Sequence, residues 1–299
     1  MNVAKPFVKW AGGKTQLLEE IRKKYPSQIK KYCEPFVGGG AVLFDVLNKF
    51  QPTKVLINDI NKDLMNVYAQ IKNECHFLIE TLSEIDALYK NQNPEKNRKL
   101  FYEKRERYNE IKLNEDKSEN IEKAALFIFL NKTCFNGLYR VNSCGLFNVP
   151  YNNATNPLVC DTKNLLVCSE LLQNVKMTTG DYHSCENFID DDTFVYIDPP
   201  YRPITKTARF TAYSQEGFSD CKQIELSHFI TKIEKKGARI LLSNSDPKNV
   251  DETDNFFDEL YSNFEIEHLQ ASRMINSNSK KRGKISELLI SNIVSIFSL

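Results

Sequence analysis

The sequence predicts a doubly wound α/β sheet, interrupted by a helical insertion and closed by an antiparallel hairpin. Three observations predict it. Strand-like segments at 32–36 and 54–58 flank a glycine turn and an apolar helical stretch, a β-α-β pattern. Further strand signals at 175–178, 193–197 and 238–242 alternate with apolar helical patterns, as in an open, mostly parallel sheet. Between these groups, from about His76 to Asn131, strand signals stop and apolar residues fall at helical spacing.

In chain order, Tyr32-Cys-Glu-Pro-Phe36 reads as a short strand running into Gly38-Gly-Gly40, with a helix from Ala41 to Phe50 behind it. Lys54-Val-Leu-Ile-Asn58 is a second strand ending in Asp59. His76 to Leu88 places Phe77, Leu78, Leu82, Ile85 and Leu88 on a helix; Lys96 to Leu113 is highly charged and Ile121 to Asn131 strongly apolar. Glycines and aromatics from Thr133 to Tyr151 break the pattern as a loop or hairpin does. Phe264 to His268 and Glu287 to Ile290, separated by a loop of lysines and glycine, form the closing hairpin. The expected organisation is a sheet domain of residues 1–68 plus 156–299 and a helical domain of 69–155, whose hairpin covers 133–151.

Composition excludes several classes. At 41% hydrophobic and 26% charged residues the chain is ordinary for a soluble protein. Its longest apolar run, Ala124 to Leu130, is far too short to span a bilayer, and the first residues carry no apolar signal region. The eight cysteines contain no C-x-x-C pair and the four histidines are scattered, so no metal is predicted. A reduced, cytoplasmic protein without membrane attachment is expected. The net charge of +1 is uninformative, but residues 1–31 carry eight Lys or Arg against two Glu, and Arg273 to Lys284 five against none. Such clusters suit a phosphate-tracking surface, but charge alone favours solvated faces.

Three motifs carry chemistry. Lys9-Trp-Ala-Gly-Gly-Lys-Thr15 resembles the tail of a phosphate loop, but Val8 occupies the position where a Walker loop needs glycine. A nucleotide-triphosphate site is therefore not expected, and a tight turn competes as an explanation. Glu34-Pro-Phe-Val-Gly-Gly-Gly40 lets a backbone approach a ligand at a helix start, and Asp59 lies 21 residues beyond Gly38, placed to grip a ribose diol. That pair indicates a nucleoside-bearing cofactor without choosing between nicotinamide and S-adenosylmethionine. Finally, Val195-Tyr-Ile-Asp-Pro-Pro-Tyr201 delivers an acid, two prolines and an aromatic to the carboxyl edge of the sheet. Residues before prolines are pushed to extended geometry, which fixes Asp198 and the Pro199 carbonyl as two acceptors for a planar amine stacked on Tyr201. Accepting both hydrogens of an exocyclic amine turns its lone pair outward, toward a sulfonium methyl that then needs mainly positioning.

Together, FVKWAGGK, EPFVGGGAVLF, INDIN, LNKTCFNGLYRVN, FNVPY, GDY, YIDPPYRP and ELLISN, in that order over nearly the whole length, resemble the Dam-type (D12 class) site-specific DNA adenine-N6 methyltransferases. The resemblance implies a Rossmann-like S-adenosylmethionine-dependent methyltransferase sheet and S-adenosylmethionine as methyl donor, without a metal. It places Trp10, Lys14, Phe36, Gly38, Gly40, Asp59, Asp181, Tyr182 and Asp198 at the cofactor, with Asp198, Pro199 and Tyr201 catalytic. It implies double-stranded DNA as partner, with the target adenine flipped out. Residues 69–155 become a target-recognition domain, in which Arg140 reads a guanine edge, Phe135 wedges into the opened stack, and Asn136, Leu138 and Pro150 make further DNA contacts, while Lys9 approaches the DNA from the cofactor side. A restriction endonuclease acting on the same site is a candidate second partner.

Leu146 stands where many relatives have Glu, and Asn152-Asn-Ala-Thr155 replaces a Gly-containing continuation. GATC is the first expectation for the recognition site, with CATG-like and non-palindromic sites left open. Rival readings are a methyltransferase of RNA adenine or protein glutamine, a catalytically inactive DNA-binding relative, and a nicotinamide oxidoreductase.

Overall fold

The computed structural model of the chain describes residues 3–114, 116–202, 218–272 and 284–293. Packing divides it into two compact units, the first Met1–Lys14, Val37–Lys49 and Asn58–Gly180, the second Thr15–Phe36, Phe50–Ile57 and Asp181–Leu299.

Seven strands, β1 (Lys31–Glu34), β2 (Lys54–Asp59), β3 (Val175–Thr179), β4 (Thr193–Ile197), β5 (Arg239–Ser245), β6 (Glu265–Ser272) and β7 (Lys284–Ser291), form one sheet in the order β3-β2-β1-β4-β5-β7-β6. β1 pairs in parallel with β2 and β4, and β4 with β5. β7 runs antiparallel to both β5 and β6. The order reverses between β1 and β4, and open α/β sheets take ligands beyond the carboxyl ends of strands at such a point.

In the second unit every residue of β4 is buried, as expected of a central strand covered on both faces. Val195, Ile197, Ile240 and Leu242 form one core with Leu226, Phe229, Ile230 and Ile233 of the helix Asp220–Glu234. Between β6 and β7, the basic loop expected at Lys280 to Lys284 lies outside the described residues up to the start of β7.

The short helix α1 (Leu18–Lys23) belongs to the second unit, and the first unit is mainly helical: α2 (Ala41–Phe50), α3 (Lys62–Asn73), α4 (Cys75–Lys90), α5 (Pro94–Asn114), α6 (Asn120–Thr133) and α7 (Thr162–Leu172). The apolar run Ala124 to Leu130 is the centre of α6; each residue is at most 3% exposed, because α3, α4 and α5 all pack on it. Charged α5 contributes Leu100, Phe101, Tyr108 and Ile111, one face at helical spacing. Asn61 caps α3, its Oδ1 accepting from the N–H groups of Asp63 and Leu64. After α6 the chain turns back on itself through isolated antiparallel bridges between Cys134 and Tyr151 and between Val141 and Phe147. Among the described residues no helix is long and apolar enough to cross a membrane.

Candidate active site

In the first unit the glycine turn is built by close approach. Gly38 and Gly40 have φ of +48° and +76°, a region costly for any side chain. A Cβ on Gly38 would stand 2.8 Å from the Trp10 indole, so the ring lies directly on the turn. A Cβ on Gly40 would meet the Tyr68 hydroxyl and the Phe44 ring. Asp59 braces the turn, accepting from the Gly38 N–H at Oδ2 (3.0 Å) and the Asn61 N–H at Oδ1 (2.9 Å). Burial raises the Asp59 carboxyl above the usual carboxylate range, against the lowering pull of these donors. Lys14 is buried, and its Nζ donates to the Gly12 carbonyl (2.9 Å).

Behind Trp10 stand Tyr139, with ring centres 6.0 Å apart, and Phe127, 6.4 Å away, both nearly parallel to it. The Tyr139 hydroxyl donates to Asp63 Oδ2 (2.6 Å), which also takes Lys112 Nζ (2.6 Å), while Lys123 Nζ meets Oδ1 (2.7 Å). Burial alone would raise the Asp63 carboxyl, but these three donors outweigh it and hold the group far below the ordinary range.

The residues expected at DNA share the same unit. Lys9, Phe135, Asn136, Arg140 and Pro150 are exposed and Leu138 is half-buried. Phe135, an aromatic with half its surface in solvent, is followed by Asn136 at φ +56°, so the turn presents both side chains outward. The Phe135 N–H donates to the Pro150 carbonyl (2.9 Å), which ties the two ends of the segment. Arg140 rests on Asn148, donating from Nε to Oδ1 (2.8 Å).

In the second unit β4 ends at Ile197 and presents Asp198, half-buried, followed by buried Pro199 and exposed Pro200. Ser243 Oγ donates to Asp198 Oδ1 (3.0 Å) and also meets the Tyr196 hydroxyl (2.9 Å). The Tyr201 hydroxyl donates to Glu287 Oε2 (2.9 Å), and burial, with the charges of Asp198 and Glu287, pushes its pKa far up. Arg202 then locks the chain, with ion pairs to Asp220 and Asp254 at 2.7 Å and its guanidinium over the Phe256 ring. Phe36 and Tyr182 lie with ring centres 5.3 Å apart, and the buried Tyr182 hydroxyl has no hydrogen-bond partner among the described residues. Asp181 is exposed. Its carboxyl is lowered because the backbone N–H and ring of His183 outweigh partial burial.

Asp63, Asn131, Ser243 and Glu287 were absent from the sequence-based candidates. Glu287 stands in the quoted ELLISN and Asn131 in LNKTCFNGLYRVN, so their motifs were visible while their partners were not. For Asp63 and Ser243 the only trace was a polar residue beside an apolar strand or helix.

A mixed sheet whose order reverses beside β1, with a glycine turn braced by the strand-end acid Asp59, defines the class of open α/β folds that take ligands beyond the carboxyl ends of their strands. Within that class, residues 10–275 match the family model of D12 class N6 adenine-specific DNA methyltransferase, and the chain belongs to this family. It is 47% identical to the Type II methyltransferase M.MjaIII of Methanocaldococcus jannaschii, over 96% of this chain and 99% of that protein. It is 37% identical to the Type II methyltransferase M1.LlaDCHI of Lactococcus lactis subsp. cremoris, over 96% and 95%. With the DNA adenine methylase of Haemophilus influenzae it shares 32% identity over 95% and 92%.

Proposed function

We propose that this protein methylates N6 of adenine within a short sequence of duplex DNA, with S-adenosylmethionine as donor. The observation that carries the reading is the end of β4, where Asp198 is held by Ser243 and Tyr201 by Glu287. That arrangement supplies an oriented carboxylate and a ring of fixed plane. Asp198 and the Pro199 carbonyl accept the two N6 hydrogens, and Tyr201 stacks on the base. The amine lone pair is thereby turned out of conjugation, and the departing proton has an acceptor at hand.

The donor set fits the cofactor part by part. Asp59 is oriented by backbone N–H groups, Oδ2 by Gly38 and Oδ1 by Asn61, and its carboxylate is the acceptor for a ribose hydroxyl. The glycine turn at 38 and 40 permits close backbone approach, Lys14 offers an ammonium to the carboxylate, and Trp10 covers the turn. Phe36 and Tyr182 supply aromatic surface and an unsatisfied hydroxyl, and Asp181 an acceptor for the adenine amino group. When bound, S-adenosylmethionine supplies an electrophilic methyl on a sulfonium. No metal is assigned a role.

The target base must leave the stack to reach Asp198. We assign the opening to Phe135, the guanine contact to Arg140, and supporting contacts to Lys9, Asn136, Leu138 and Pro150; all six belong to one unit and all but the half-buried Leu138 are exposed, which supports this. Residues 69–155 then act as the target-recognition part, and 1–68 with 156–299 as the catalytic part. A restriction endonuclease sharing the site fits the Type II names of two relatives.

The test is transfer of labelled methyl from S-adenosylmethionine to unmethylated duplex DNA, followed by single-base readout of N6-methyladenine. Modification confined to one short motif is expected, and its sequence decides whether GATC is the site. Label entering RNA or protein instead, or no transfer with cofactor bound, overturns the reading.

A further inference from the structure

We infer that Asn131 is a positioning residue for sequence discrimination, a buried clamp that sets Lys9 in register with the turn at Phe135 to Leu138. The inference rests on the DNA reading proposed above. Asn131 is 3% exposed at the end of α6, too deep to touch DNA itself. Its amide nevertheless joins two segments far apart in sequence. Oδ1 accepts from the Lys9 N–H (2.8 Å), and Nδ2 donates to the Lys9 carbonyl (2.9 Å) and to the Gly137 carbonyl (2.8 Å). A primary amide has two donors and one acceptor oxygen, and here both ends are committed to main chain. A side chain tied only to its own helix would fix nothing beyond it; this one fixes the relative height of two exposed loops.

Gly137 completes the device. It sits at φ +62°, and a Cβ there would stand 2.6 Å from Lys9 Cβ and 2.7 Å from Lys9 Cδ. The aliphatic stem of Lys9 therefore lies on the bare backbone of the turn. Its ammonium is carried beside the segment that displays Phe135, Asn136 and Arg140. Discrimination between bases depends on several donors meeting fixed groove positions together, so a shift of one loop against the other degrades the match without touching any contact residue.

Asn131→Asp keeps shape and the acceptor but replaces the Nδ2 donor by an oxygen facing two carbonyls. Gly137→Ala disturbs the same register from the other side and leaves Asn131 in place. For each, three quantities are measured: melting temperature, S-adenosylmethionine Kd by equilibrium dialysis, and kcat/KM on an unmethylated duplex carrying the recognised motif against duplexes changed at one base of it. The expected result is a fall in the discrimination ratio of about tenfold, the scale of one bidentate base contact, with cofactor Kd within about twofold of wild type. In combination with Lys9→Ala the loss should be less than additive, because both act through the same contact. An unchanged ratio in a folded variant overturns the clamp, as does additivity with Lys9→Ala. If Asn131→Asp does not fold, Gly137→Ala decides alone. A wild-type chain that leaves duplex DNA unmethylated overturns the underlying DNA reading, whereas a specific wild type with equally specific variants overturns only the clamp.

Discussion

The loop that follows β1 and the loop that follows β4 solve opposite problems. After β1 the chain uses glycines at positive φ, with an indole, a phenol and a phenyl ring pressed against the places where side chains would begin. After β4 it uses two prolines, which stiffen the backbone, and presents Asp198 and Tyr201, the proposed catalytic side chains, each held by a partner on another strand. The first loop works by bringing main chain close; the second works by aiming side chains. One should therefore fail when atoms are added, the other when atoms are taken away.

The largest expected effect tests the second half of that contrast. Asp198→Ala removes the oriented acceptor and should lower single-turnover methylation about 10³-fold, the scale of losing one aimed electrostatic partner. Cofactor Kd should move far less. A variant with turnover within tenfold of wild type breaks the catalytic assignment.

Next in size is the support beneath Trp10. Asp63→Asn leaves Lys112 and Lys123 without their shared carboxylate, in a site where Asp63 is 6% exposed, and should cost about 3–5 kcal/mol in urea unfolding. The sign of the pH dependence follows from its lowered carboxyl. Its contribution is fully present above the unfolded value of about 4 and is lost only as pH falls toward the folded value. The stability gap between wild type and variant should thus be constant from neutral to about pH 5 and close in stronger acid. A gap that closes between pH 8 and 6 would assign the effect to other groups.

For the glycine loop, Gly40→Ala adds a Cβ 3.0 Å from the Phe44 ring at φ +76°, a strain of about 1–3 kcal/mol. Methyl transfer at saturating cofactor should hold while cofactor Kd rises about tenfold, equivalent to about 1.4 kcal/mol. If turnover falls and Kd does not, the two loops do not divide the work in this way.

Much of this architecture is legible in the sequence, for identifiable reasons. β4 reads as a strand because its five residues suit a strand covered on both faces, and α5 because its apolar spacing matches the face it buries. In α4 the match is partial: Leu78, Leu82 and Ile85 are buried with Tyr89, whereas Phe77 and Leu88, which share the apolar spacing, are exposed. α6 shows as one continuous apolar run, buried throughout. Edges were harder. The first strand was expected over 32–36 but stops at Glu34, next to Pro35, which has no N–H for a ladder. The strand expected over 238–242 continues to Ser245, hidden by Ser243, Asn244 and Ser245, polar residues that read as loop yet are buried. Ser243 and Asn244 are tolerable inside because Ser243 bonds Tyr196 and Asp198, and Asn244 bonds Gln223, whereas the buried Ser245 Oγ has no partner among the described residues. No local pattern announces such partners, which lie 21 to 47 residues away. The same holds for Asp63, whose donors come from two helices and the turn that follows them.

Ser243 gives the smallest and most discriminating expectation. Its hydroxyl donates to Asp198 Oδ1 while meeting the buried Tyr196 hydroxyl, so it orients the acid without reaching a substrate. Removing one such bond costs about 0.5–1.5 kcal/mol, or about two- to tenfold in rate. Ser243→Ala should lower kcat by that factor and leave DNA KM and cofactor Kd unchanged, and Ser243→Thr, which keeps the hydroxyl, should restore most of it. A fall in melting temperature with normal kcat would make Ser243 a packing residue. Loss in both Ala and Thr variants would show that shape, rather than the hydrogen bond, is what the strand end requires. Aiming by side chain leaves this signature of rescue by a conserved hydroxyl, which a loop that works through bare backbone cannot show.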